Sequence, residues 1–195
     1  MKTEIINSSI KEYLSDLYKQ IDSLQFNKIQ KVIEILHGAY KKGKNIYIIG
    51  NGGSATTAMH FSCDLGKGTV RDMNNKKEKR FKVIPLTANI ATMTAIANDL
   101  SYDEIFSQQL LNVMSEGEVL IAISASGNSK NILNAVHVAK EAGLTVIGLT
   151  GFDGGKLKDM CNCSIVVESD EYGVVEDVHL ILNHLINYCF RKIEL

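Results

Sequence analysis

The run Val119-Leu120-Ile121-Ala122-Ile123 is short, unbroken and apolar, and it passes straight into Ser124-Ala125-Ser126-Gly127-Asn128-Ser129. An apolar run of this length suits a strand buried on both faces of a parallel sheet. The loop after it combines three hydroxyls with a glycine where a helix should begin. Outward from this stretch the alternation repeats. Residues 45–49, 81–86, 145–149 and 164–167 read as further strands, separated by segments of helical periodicity. Alternating β and α predicts a doubly wound α/β sandwich, three layers deep, around a parallel sheet. Pro85 is awkward inside its run and marks an irregular strand end.

Two helices precede the first strand. Ser9-x-x-Glu12 has the form of a capping box, so the first helix is expected to begin there, with Tyr13, Leu14, Leu17 and Tyr18 on one face. The second carries Ile29, Val32, Ile33, Leu36 and Tyr40 at helical spacing and stops at Gly43.

The 195 residues carry a net charge of −1, with 45% hydrophobic and 22% charged residues. That length suits one domain with a sizeable core, and no linker, repeat or low-complexity tract divides it. A charge this close to zero argues against nucleic acid or an acidic membrane surface as partner. No apolar run approaches the roughly 20 residues of a bilayer span, and the first residues lack the apolar core of a signal peptide. The expectation is a soluble, cytoplasmic protein. Cys63, Cys161, Cys163 and Cys189 form no CxxC pair, and Cys161-Asn162-Cys163 has no second pair to complete a metal site, so all four read as reduced thiols. The charged run 71–80 reads as a solvated loop.

In such a sheet, ligands bind where strands end and helices begin. Gly50-Asn51-Gly52-Gly53-Ser54-Ala55 has the outline of a dinucleotide fingerprint, but Asp72, at about the right spacing for the ribose-binding acid, lies in the charged loop before the next strand. The alternatives are a tight, capped turn or a loop whose backbone approaches a ligand, with Asn51 and Ser54 as its polar groups. The serine loop is a phosphate site by type: hydroxyls, backbone N–H groups and a helix dipole all favour an anion. Without a lysine it suits a monophosphate ester better than a nucleoside triphosphate. Gly66-Lys67-Gly68-Thr69 lacks the upstream glycine of a Walker loop and follows a helix.

His37 and His137 sit in amphipathic helices without partners in a ligand pattern. His60 and Asp64, spaced i, i+4, project from one helix face. Glu176 and His184 lie two turns apart on the last helix, with His179 between them and Asp177 as a rival ligand. Two histidines and two carboxylates of this kind can make an N/O site for zinc or a similar ion.

The Asn51–Ser54 loop, His60 four residues before an acid, Asn98-Asp99, the Ser124–Ser129 loop and the acid-x-x-His-x-x-x-x-His run together resemble the phosphoheptose isomerases, sugar isomerase (SIS) domain proteins that convert sedoheptulose 7-phosphate to glycero-manno-heptose 7-phosphate. The resemblance covers nearly the whole chain. It implies a single SIS domain over 1–195 with a five-stranded parallel sheet, residues 44–195 forming the α/β core and 1–43 a helical pair used in oligomerisation. It implies a homotetramer with active sites at subunit interfaces and one zinc ion per subunit, held by His60, Asp64, Glu176 and His184. Phosphate would be held by Ser124, Ser126 and Ser129. Asn51, Gly52, Gly53, Ser54, Asp64, Asn98, Asp99, Ala125 and Glu176 would complete the sugar pocket. Asp64 and His184 would be the acid/base pair.

Two positions depart from the family pattern, which usually has glutamate at 64 and glutamine at 176. Asp64 is one methylene shorter, so its carboxylate must be brought closer or act mainly on the metal. Glu176 adds a charge that favours a dication. Ketose–aldose interconversion needs a base near two adjacent carbons, an acid for the carbonyl oxygen and stabilisation of an enediolate. Two other readings are an isomerase of another sugar phosphate, which would use the same chemistry, and a non-catalytic SIS regulator, which would keep the serine loop but not the histidine–acid cluster.

Overall fold

The computed structural model describes residues 2–193. Its elements in chain order are α1 (Lys2–Asp22), α2 (Phe26–Lys42), β1 (Asn45–Gly50), α3 (Gly52–Cys63), β2 (Lys82–Pro85), α4 (Ile90–Asp99), α5 (Ser107–Val113), β3 (Val119–Ser124), α6 (Lys130–Glu141), β4 (Thr145–Gly151), α7 (Gly155–Met160), β5 (Cys163–Val167) and α8 (Tyr172–Lys192). One π-helical turn, Asp64–Gly68, continues α3, and a 3-10 turn, Tyr102–Glu104, precedes α5.

The five strands are all parallel, in the order β2-β1-β3-β4-β5. Successive side chains of a strand point to opposite faces, and here both faces are apolar. Ile46, Ile48, Ile121, Ile123, Ile147 and Leu149 meet α2, α3 and α8 through Leu36, Phe61, Val178 and Leu182. Tyr47, Ile49, Leu120, Ala122 and Val146 meet α5, α6 and α7 through Leu110, Ile132, Val136 and Leu157. This is why the strands read as continuous apolar runs. Pro85 closes β2, an edge strand bonded only to β1, where a missing donor is tolerated.

Gly43 ends α2 as expected, with φ 64° and its N–H turned back to the Tyr40 carbonyl. The start of α1 is a correction. The helix begins at Lys2, not at Ser9, and Ser9 and Glu12 are exposed residues on its surface. The capping-box pattern thus sits inside a continuous helix. α1 leans on α8 through Tyr13, whose hydroxyl donates to Asp177 at 2.7 Å, and is tied to the segment between β5 and α8 through Gln20, whose amide donates to the Glu168 carbonyl at 3.0 Å. Ile5, Ile6, Ile10, Leu14 and Tyr18 remain exposed on it. Among the described residues no helix is long and apolar enough to cross a membrane.

Candidate active site

The strand order reverses between β1 and β3, so the loops that follow these two neighbours diverge and leave a crevice at the carboxyl end of the sheet. Both small-residue loops open there. In the second, the Gly127 N–H bonds the Ser124 carbonyl at 2.9 Å, closing a tight turn. Gly127 has φ 61°, and a Cβ there would lie 2.1 Å from the Gly154 carbonyl oxygen, so the turn excludes any side chain. The Ala125 and Gly127 carbonyls are drawn away by the N–H groups of Gly151 and Leu157. The crevice is left with the hydroxyls of Ser124, Ser126 and Ser129 and the N-terminus of α6, whose N-cap Ser129 makes no capping bond with its side chain. These groups, with Asn51, Ser54, Ala125, Tyr172 and Glu176, line a cavity of 160 Å³.

Asn51 joins the two loops. Its side chain exchanges a pair of 2.9 Å amide hydrogen bonds with Asn131, and its carbonyl also accepts from the Tyr102 hydroxyl at 2.9 Å. Gly52 takes a left-handed φ of 53°, which admits the turn into α3. Gly53 lies against Glu176: a Cβ there would stand 2.2 Å from the carboxylate at the flexible end of that side chain. Tyr172 packs edge-on against Phe152 with ring centroids 4.9 Å apart, and Phe152 itself holds φ 54°.

The second constellation lies further along α3 and α8. His60 Nε2 is 3.4 Å from Asp64 Oδ2, His184 Nε2 is 3.8 Å from the same oxygen, and the two Nε2 atoms are 3.4 Å apart. A tetrahedral dication with bonds of about 2.0–2.1 Å would hold its ligand atoms roughly 3.4 Å apart. The three side chains therefore fit a metal ion without rearrangement, and they converge within 4.8 Å of one another. Asp64 stands at the junction of α3 with its π-helical turn, a distortion common at functional sites. Asn183, fully buried, donates to Asp64 Oδ2 at 3.0 Å. Beside the cluster, Asp64, Gly68, His184, Asn187 and Arg191 line a cavity of 220 Å³.

Glu176, expected as a fourth ligand, is not in this cluster within one chain. It precedes His184 by eight residues, about 12 Å of helix rise, and its carboxylate lies against Gly53 in the serine-loop cavity. Asp177, the rival, is committed to Tyr13. That bond holds the Tyr13 hydroxyl protonated, its pKa raised to about 12. Asn98 and Asp99 are exposed at the end of α4, bonded to each other at 3.0 Å, and line neither cavity. His179 is fully buried, Nε2 against the Thr150 carbonyl at 3.1 Å, and burial lowers its pKa to about 4. Sequence reasoning missed Tyr102, Asn131, Tyr172 and Asn183. These are polar or aromatic residues at positions that carry no spacing signal, and only the packing of distant segments brings them to the site.

This fold and this pairing of a serine loop with a histidine–acid cluster define a sugar isomerase domain, and the SIS domain family model matches residues 11–151. A phosphoheptose isomerase of Aliarcobacter butzleri is 39% identical over 91% of the chain and 92% of its own length. The structures of phosphoheptose isomerases from Neisseria gonorrhoeae and Francisella tularensis superpose with a TM-score of 0.87 each, at 27% and 26% identity, over 99% of this chain and 100% of theirs. The chain belongs to the phosphoheptose isomerase family of SIS-domain proteins.

Proposed function

We propose that the protein interconverts sedoheptulose 7-phosphate and glycero-manno-heptose 7-phosphate through an enediol and so supplies heptose for glycan synthesis. The observation that carries this reading is the convergence of His60, Asp64 and His184 at metal-ligand spacing in a chain of this family. The serine loop receives the phosphate: Ser124, Ser126 and Ser129 donate hydroxyls, and the α6 N-terminus adds its dipole. Asn51, Gly52, Gly53 and Ser54 form the facing wall, Glu176 accepts from sugar hydroxyls, and Asn98 and Asp99 would reach the sugar from outside the two cavities.

Asp64 is the base that takes the proton from C1 of the ketose and returns it to C2. His184 passes the hydroxyl proton from one oxygen to the other, so that an aldose results with no net gain or loss of protons. Asp64 Oδ2 is already engaged by Asn183 and the two imidazoles, which leaves Oδ1 for this transfer. The cofactor is one Zn²⁺ per subunit, held by His60, Asp64 and His184. When bound it supplies positive charge to the developing enediolate oxygen. Glu176 joins the ligand set only if a second protomer presents it, which fits a homotetramer with active sites at subunit interfaces. The exposed apolar side chains of α1 and the roughly half-exposed His60 and His184 support such an assembly. The helical pair 1–43 would serve it, and the cytoplasm is the place for a phosphorylated substrate.

Replacing Asp64→Asn and His184→Gln tests the roles. Each should lower kcat by about 10²–10⁴-fold with the thermal midpoint preserved. Near-normal turnover in either variant removes that residue from the mechanism.

A further inference from the structure

The short carboxylate at position 64 has a buried anchor. Asn183 comes from α8, 119 residues away in sequence, and lies fully buried behind the cluster. Its Nδ2 donates to Asp64 Oδ2 at 3.0 Å, the same oxygen that faces His60 and His184. Its own Oδ1 is buried without a hydrogen-bond partner among the described residues. A buried acceptor left unpaired is a cost to stability, and an apolar side chain of similar volume would avoid it. Fold stability therefore does not explain asparagine at this position. An amide N–H fixes the rotation of the carboxylate, so that Oδ2 is held on the side of the two imidazoles and Oδ1 is left outside these contacts.

We infer that Asn183 is a positioning residue that divides the labour of Asp64 between its two oxygens, one toward the cation and one toward the migrating proton. The inference rests on the isomerase reading of the cluster. Groups that orient metal ligands typically affect metal affinity or activity by about 10–100-fold.

The test is Asn183→Leu, with Asn183→Ala as a second variant should leucine not fit. Four quantities are measured on each: the thermal midpoint without metal, zinc affinity by competition with a chromophoric chelator, kcat and KM. The expected result for Asn183→Leu is a midpoint equal to or above wild type, zinc affinity weaker by about 10–100-fold and kcat lower by about 10-fold or more, with KM within about twofold. Wild-type zinc affinity and kcat in a cooperatively melting variant overturn the inference. A wild-type protein that neither binds zinc nor turns over substrate overturns instead the reading of the cluster on which it stands.

Discussion

Asn51 and Asn131 face each other across the crevice, and each side-chain amide donates to the other's carbonyl at 2.9 Å. The pair ties the loop after β1 to the first turn of α6, so the two walls of the serine-loop cavity are set at a fixed distance. Asn131 is buried and its carbonyl also accepts from the Ile132 N–H at 2.9 Å. Replacing Asn131→Leu leaves Asn51 with only Tyr102 and should destabilise the protein by about 1–3 kcal/mol. A fall of several degrees in Tm, together with a KM for the phosphorylated sugar raised about tenfold, is the expected outcome. An unchanged KM would show that the two walls hold their spacing without the pair.

The contact between Gly53 and Glu176 gives a sharper steric prediction. A methyl group at position 53 overlaps the carboxylate, and the carboxylate is the flexible partner. Gly53→Ala should therefore fold, push Glu176 out of its place and lower kcat/KM by about 10–100-fold, on the scale of a lost hydrogen bond to a charged group. Shortening Glu176→Ser in the same protein should remove the overlap but not restore activity. Full activity in Gly53→Ala alone would mean that Glu176 does not work from the position described.

The serine loop makes a prediction of another kind. Ser124 and Ser126 each offer a hydroxyl to the proposed phosphate, and a bond to a charged group contributes about 1.5–3 kcal/mol. Ser124→Ala and Ser126→Ala should each raise KM for the 7-phosphate by about 10–100-fold and leave inhibition by the unphosphorylated sugar unaltered. Equal weakening of the 7-phosphate and of the unphosphorylated sugar would move the phosphate elsewhere.

Burial of His179 links stability to pH. Its folded pKa is lowered from 6.5 to about 4 by desolvation, against a smaller opposing effect of the Thr150 carbonyl. The unfolded chain thus binds a proton first as pH falls. The stability associated with neutral His179 is fully present above pH 6.5 and is lost as pH falls toward 4, by on the order of 3 kcal/mol. Urea melts of wild type and His179→Leu should show the wild-type profile falling more steeply across that window. Parallel profiles would contradict the assignment.

Much of this was legible in the sequence. The apolar run 119–123 matches the strand Val119–Ser124 to within one residue, because a strand buried on both faces has no polar register to confuse it. Gly43 announced the end of α2 by its chemistry. The i, i+4 pairing of His60 and Asp64 needed only helix geometry. The beginning of α1 was not legible, since nothing at Lys2 marks it while Ser9 and Glu12 imitate a cap. Nor could spacing alone say which of Glu176, Asp177 and His184 meets His60. That depends on the register of α8 against α3, which is set by apolar packing along both helices. The π-helical turn at Asp64 and the reach of Asn183 are likewise properties of the packed helices and leave no local pattern.

The most direct test of the account is conversion of sedoheptulose 7-phosphate by the purified protein, followed by NMR, after chelation and again after zinc is restored. The account predicts an aldoheptose 7-phosphate that forms with zinc, diminishes sharply on chelation and returns with the metal. No aldose product in the presence of zinc would contradict it.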